Sequence, residues 1–293
     1  MGEYSHLIQF LFSGLTSGSI YALMAVSLVI VYKVSQLICF AQGEFFVIGA
    51  LTMTTLVSKG VPMPFAFVLA TATATLLGAL VERVLIRPIQ DSGVGTLIVM
   101  TVAISLTLRG GALVIWGKES HILKPFTEGN PIQVFGATLM PQVIWIIGIT
   151  VVVLFLIWFF FEKTTLGVAM RACSENRLGA SLMGISTQKA ALFSWAWGSA
   201  IGALAGMAVA PLLFMQYGSG VMPMVKGFIA MSIGGLASIV GAVVAGLLLG
   251  LVESYTVGLI SSQFSDPIVF TILILVLIFR PNGLFGAKWS REV

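Results

Sequence analysis

Apolar positions along these 293 residues neither alternate nor recur on one helical face; they run on for about a membrane's thickness and then stop. Nearly uncharged runs cover about 7–32, 37–57, 65–81, 96–116, 143–161, 191–213 and 267–279. Most are close to the roughly 20 residues that a helix needs to cross hydrocarbon. The segment beginning KGFIAMSIGGLASIVGAVVAGLLLGLVE at Lys226 is too long for one crossing and too short for two. Gly234-Gly235 interrupts it, which predicts two half-helices or a hairpin, about 227–236 and 239–256. Gly14, Ser17, Gly18 and Ala22 form a small-residue face in the first run. Gly198, Gly202, Ala205, Gly206 and Ala210 form another in the sixth. Such spacing lets helices approach closely. Two polar stretches separate the runs. In 117–141, IQVFGATLM predicts a small hairpin or interfacial segment; 162–189 is helix-forming and basic.

Composition turns this pattern into a class. Hydrophobic residues make up 58%, charged residues 9%, and mean hydropathy is +1.06. A soluble domain carries roughly 25% charged residues. The expectation is an all-α polytopic membrane protein, a single transmembrane domain over 1–293. It would have about eight transmembrane helices plus a broken, re-entrant segment near 226–256. The first run is too long for a signal-peptide core and lacks a basic leader, so it reads as a retained span. Lys33, Arg83, Arg87, Lys163, Arg171, Arg177, Lys189, Arg280, Lys288 and Arg291 fall in one set of loops; Lys59, Lys118, Lys124 and Lys226 fall in the other. The richer set faces the cytosol by the positive-inside rule. The N-terminus is then outside, the C-terminus inside, and 226–256 begins and ends on the outer side. Cys39 and Cys173 both lie toward the cytosol, which argues against a disulfide. No GxxxxGK[ST] occurs, His6 and His121 have no metal-ligand spacing, and no nucleophile–base pair is visible.

Charges inside the runs are few: Glu44, Arg109, Glu253 and the borderline Glu82. Gln42 and Glu44 flank Gly43 in an otherwise apolar stretch, and a carboxylate there needs a partner or water. Either Glu44 reaches back toward Lys33 or it faces a pathway. Arg109 reads as snorkelling to the interface, and Glu253 as a helix-end carboxylate near the outer face. An ion-coupled secondary transporter or channel using Glu44 and Glu253 is the alternative function class. In 162–189, residues 166–183 predict one helix, capped by Thr164 or Thr165 and stopped at Gly184. Arg171 and Glu175 have ion-pair spacing. Val168, Ala172, Leu182 and Ile185 would form an apolar face for a partner's groove, or for the membrane surface.

Four stretches together carry a resemblance along essentially the whole chain: GSIYALMAVSLVIVYKVSQLICFAQGEF (18–45), TTLGVAMRACSENRLGASLMGI (164–185), KGFIAMSIGGLASIVGAVVAGLLLGLVE (226–253) and FRPNGLFG (279–286). The chain resembles permease subunits of branched-chain amino acid ABC importers, of the LivH type. The resemblance implies a bacterial inner-membrane transport subunit, not itself an enzyme and binding no cofactor. ATP would be hydrolysed on two separate cytosolic ATPase subunits. It implies a second related permease chain and a periplasmic substrate-binding protein meeting the outer loops, in a lipid bilayer and without nucleic acid. The 164–185 stretch would be the coupling helix, with Gly167, Arg171, Glu175, Asn176 and Gly184 against an ATPase. Gln42, Gly43, Glu44, Gly234, Gly235 and Ser238 would line the translocation pathway.

Overall fold

Glycines at helix contacts set the centre of the molecule. In the computed structural model, which describes residues 2–286 except Asp91, Glu128 and Phe135, helix α1 (Gly2–Ser35) packs antiparallel along α10 (Ile239–Leu259). Gly14 lies against Leu251, Gly18 against Leu247, and Ala22 against Gly246, with backbone touching backbone. Without a water-driven hydrophobic force, this close packing is what holds helices together in lipid. The small-residue face of the first run therefore serves packing.

Around α1 stand α8 (Thr187–Val209) and α9 (Val221–Gly234), with α2 (Gln42–Ser58) packed mainly on α8. Outside them are α3 (Met63–Val81), α4 (Val94–Trp116), α5 (Pro141–Lys163) and α11 (Ser265–Phe279). The outer helices expose most of their apolar surface, whereas α1 is largely buried from Gly14 onward. Seven helical stretches among the described residues are long and apolar enough to cross a membrane; α9, with 14 residues, is shorter.

Two ends can be distinguished. At one, β1 (Ile132–Val134) pairs antiparallel with β2 (Ala137–Leu139), with Ile132 opposite Leu139, as IQVFGATLM predicts. There Gln9 holds the Thr138 backbone, and His121 and Met215 form a β-bridge. At the other, basic end Lys33 lies in the last turn of α1. There α3 runs on past the uncharged run at 65–81 through a π-helical turn (Glu82–Ile86) and a 3-10 turn (Arg87–Ile89), which holds Pro88. Arg87 donates to Gln188 and Arg177 to Gln90, tying this end to the 162–189 stretch.

The expected break falls at Gly235, whose φ of +107° suits only glycine. Here α9 and α10 form a helical hairpin whose second arm returns along the first, because Lys226 of α9 meets Glu253 of α10. Helix α9 begins five residues before Lys226, so that lysine lies within a helix and not at its outer margin. Pro223 did not prevent this, since a proline in the first helical turn costs no hydrogen bond. The FRPNGLFG stretch folds back on the break: the amides of Leu284 and Phe285 donate to the carbonyls of Ile233 and Gly234 (2.8 and 3.1 Å). Expectations for the tail beyond 286, including Lys288 and Arg291, lie outside the described residues.

Candidate functional site

The chain between α1 and α2 is not helical. Gln36 stops α1 in a left-handed conformation (φ 53°), and residues up to Ala41 run irregularly before α2 starts. This backbone is tucked inside protein, where membrane depth tolerates it. Its carbonyl at Ile38 accepts from Thr101 of α4 (3.3 Å). As α2 starts, Gln42 donates to the Gly198 carbonyl of α8 (2.5 Å), and Gly43 lies against Gly220 at the start of α9. The small-residue face of α8 is what admits the Gln42 side chain. Gln42 Oε1 is buried without a hydrogen-bond partner, as is Glu82 Oε2 at the basic end.

Glu44 sits in the first turn of α2, where a carboxylate also complements the helix dipole. Three donors converge on its Oε1: Arg109 Nη2 at 2.6 Å, Arg109 Nε at 3.1 Å and the Ser105 hydroxyl at 2.9 Å. Ser105 is 11 residues from either end of α4, or about 16 Å along a helix. The pair therefore lies halfway across. Both readings of these charges from sequence are corrected: Glu44 turns to Arg109 and not to Lys33, and Arg109 does not snorkel. Glu253 is not a free helix-end carboxylate either. It accepts from Tyr21 (2.7 Å) and Lys226 (2.6 Å), and Lys226 also meets Asp266 (3.0 Å). Four helices are thereby clamped together. Each carboxylate of the ion-coupled alternative already has its cation, and nothing favours that alternative.

The pathway residues inferred from sequence fall into two groups that do not meet. Gln42, Gly43 and Glu44 lie near the first residue of α9, while Gly234 and Gly235 form its last turn and C-cap. The 14 residues of α9 separate them by about 21 Å. Ser238 caps α10 through the Gly241 amide (3.0 Å), and Gly234 packs on Gly241. This second group closes the hairpin bend.

The basic stretch forms two helices where one was expected, α6 (Thr165–Glu175) and α7 (Arg177–Leu182). Asn176 ends the first and caps the second, its Oδ1 accepting from the Gly179 amide (2.7 Å). An asparagine side chain competes for backbone bonds this way and favours caps over helix interiors. Thr164 caps α6 through Gly167, and Ser186 caps α8. After α7, Gly184 (φ +81°) completes a Schellman stop: the Ile185 amide bonds the Ala180 carbonyl and the Gly184 amide that of Ser181. Breaking the helix changes the predicted faces. Arg171 pairs with Glu162 (2.8 Å) and not with Glu175. Ala172 and Ile185 pack inward, and Gly167 is buried against the Phe160 carbonyl of α5. Glu175, Asn176 and Gly184 are exposed. So are three apolar side chains, Leu178 (71%), Leu182 (80%) and Met183 (83%), outside every span. Leu178 and Met183 were missed as contact candidates. The signal was present as two leucines four apart beside a good cap residue. Cys39 and Cys173 are both buried free thiols.

A sequence model of the family described as branched-chain amino acid transport system / permease component matches residues 10–279. The permease protein BraD of the high-affinity branched-chain amino acid transport system of Pseudomonas aeruginosa is 33% identical, covering 100% of both chains. The corresponding LivH protein of Escherichia coli is 31% identical over 99% of each chain. A probable branched-chain amino acid transport permease, LivH of Methanocaldococcus jannaschii, is 30% identical over 93% of this chain and 90% of its own. The match runs through the irregular entry to α2, the paired helices at the basic end and the broken hairpin alike, and this chain belongs to the family of branched-chain amino acid transport system permease components.

Proposed function

We propose that this chain is the membrane permease subunit of an ATP-driven importer of branched-chain amino acids. ATP is hydrolysed on two cytosolic ATPase subunits, a second related permease completes the pathway, and a periplasmic binding protein delivers substrate. The basic end faces the cytosol and the hairpin end faces outward, in the inner membrane of a bacterium. Full-length likeness to curated permeases supports the substrate class. The observation that carries the coupling is the trio Leu178, Leu182 and Met183 standing exposed on a capped helix beyond the membrane. Such side chains fit a groove on a partner better than they fit water.

In this reading α7 and the Gly184 turn press into each ATPase, with Glu175, Asn176 and Arg171 at the rim. Gly167 acts by fixing α6 to the end of α5. When the ATPases close, the α6–α7 unit moves as a body and carries α5 and α8 with it. Helix α8 holds Gln42 through Gly198, so displacement at the basic end reaches the membrane midpoint within one rigid helix. The test is reconstitution in proteoliposomes with the companion permease, the ATPases and the binding protein. ATP-dependent uptake of radiolabelled leucine, isoleucine or valine is expected. Uptake driven by a proton or sodium gradient without the ATPases would refute the proposal.

A further inference from the structure

The Arg109–Glu44 pair does more than hold α4 against α2. The arginine side chain is 29% exposed, on the face of α4 that also presents Leu106 and Gly110. Ser105, which shares the Glu44 oxygen with the arginine, lies about 16 Å from either end of the helix. Ionised side chains at such depth face protein or a water-filled cavity, not hydrocarbon. That face of α4 therefore meets protein or water rather than acyl chains, and part of the arginine side chain is open to it. The Ser105 hydroxyl and two of the three Arg109 nitrogens, Nε and Nη2, converge on one oxygen of Glu44.

Resting on the importer reading above, we infer that Arg109 and Glu44 form a station for the zwitterionic head of a passing amino acid. The α-carboxylate takes the exposed edge of the Arg109 fork, which suits carboxylates by its planar double donation. The α-ammonium turns to Glu44, which is 3% exposed at rest and is uncovered as the arginine swings onto the substrate. The result is two opposed dipoles, so no net charge is added halfway across the membrane. A lone fixed cation or anion could not achieve this, because it would bind one end of the substrate and strand the other. The station reads only the head group shared by all amino acids and is indifferent to the side chain. It therefore takes α-amino acid zwitterions as a class and leaves selection among them to the delivery step.

The reconstituted transporter tests this through leucine molecules imported per ATP hydrolysed. Wild type must first import leucine; failure there overturns the importer reading itself. In Glu44→Gln/Arg109→Gln the coupling ratio is expected to fall at least tenfold. Arg109→Lys keeps the charge but loses the planar fork, so an intermediate ratio is expected. If uptake and hydrolysis decline together at a constant ratio, the pair is a clamp only and the station is refuted. A second measurement leaves both charges in place. In Leu106→Cys, a membrane-impermeant thiosulfonate is expected to label the new thiol, and leucine-loaded binding protein with ATP is expected to slow labelling at least threefold. An unlabelled thiol, or labelling indifferent to leucine, overturns the inference even if the charge variants fail to assemble.

Discussion

Truncating the exposed leucines of α7 should uncouple the permease from its ATPase without disturbing its fold. Leu178 and Leu182 are 71% and 80% exposed, so Leu178→Ala/Leu182→Ala removes almost nothing from the interior. Surface changes of this kind usually move stability by less than about 0.5 kcal/mol. Docking would bury both side chains. Each substitution deletes three carbons, worth about 0.8 kcal/mol per methylene when fully buried. Three-quarters of that exposure being available to a partner gives about 1.8 kcal/mol per leucine. Together they amount to about 3.5 kcal/mol, or roughly 300-fold in Kd at 1.4 kcal/mol per decade. Groups at interface centres contribute most, so Met183→Ala at the turn should add a smaller loss. The assay is thermophoresis of labelled ATPase against the detergent-solubilised permease, with thermal melting as the control. An affinity within threefold of wild type, with unchanged melting, would refute α7 as the docking element and move the contact elsewhere on the basic end.

Gly250→Ala should destabilise the protein by about 1–3 kcal/mol in detergent-unfolding titrations, because the added carbon would meet the Gly18 backbone, which cannot rotate away. Gly110→Ala, which meets nothing within 4 Å, should be neutral in the same titration. Arg109→Leu alone should cost about 3–5 kcal/mol by leaving Glu44 buried and unpaired, whereas Glu44→Leu/Arg109→Leu should be close to wild type in stability. Equal costs for the two would show that the pair is not electrostatically coupled. Gly235→Ala should cost about 1–2 kcal/mol through its left-handed φ alone, with the added carbon also crowding the Gly286 amide at 2.8 Å. Hydrogen exchange should then quicken at the amides of Leu284 and Phe285, and unchanged protection would count against the folded-back turn as part of the hairpin. Burial pushes the Cys173 thiol up, and Arg177 partly offsets this. A raised pKa means less thiolate at neutral pH, so maleimide should modify Cys173 slowly at pH 7 and faster as pH rises. Arg177→Ala should move that profile to still higher pH; a shift to lower pH would contradict the assignment.

What could be read from sequence alone follows from which constraints are local. Lipid demands long apolar runs, so most spans were legible, whereas the run at 37–57 holds an irregular entry and the 17-residue α2. A Gly-Gly pair cannot continue a helix without cost, so the hairpin bend was legible to within a residue or two. Whether Glu44 met Lys33 or Arg109 was not legible, because the deciding fact is that α2 and α4 run side by side and parallel. That brings together residues 65 positions apart. Lys226 and Glu253, 27 positions apart, meet only because the break at Gly235 turns α10 back along α9. Given the bend, that pairing was within reach of sequence. It was missed because a lysine beside an apolar run was read as a loop residue. The basic stretch failed differently. Its apolar spacing continues across Asn176, so a pattern count sees one helix, while the asparagine's bond to the Gly179 amide makes two. That single side-chain bond rotates Leu178 and Leu182 away from the core and sends Ala172 and Ile185 into it. In a chain with so few charges and caps, each one redirects a whole helix. The errors therefore gather at Glu44, Asn176 and Lys226, and the first two are also where the proposed function is concentrated.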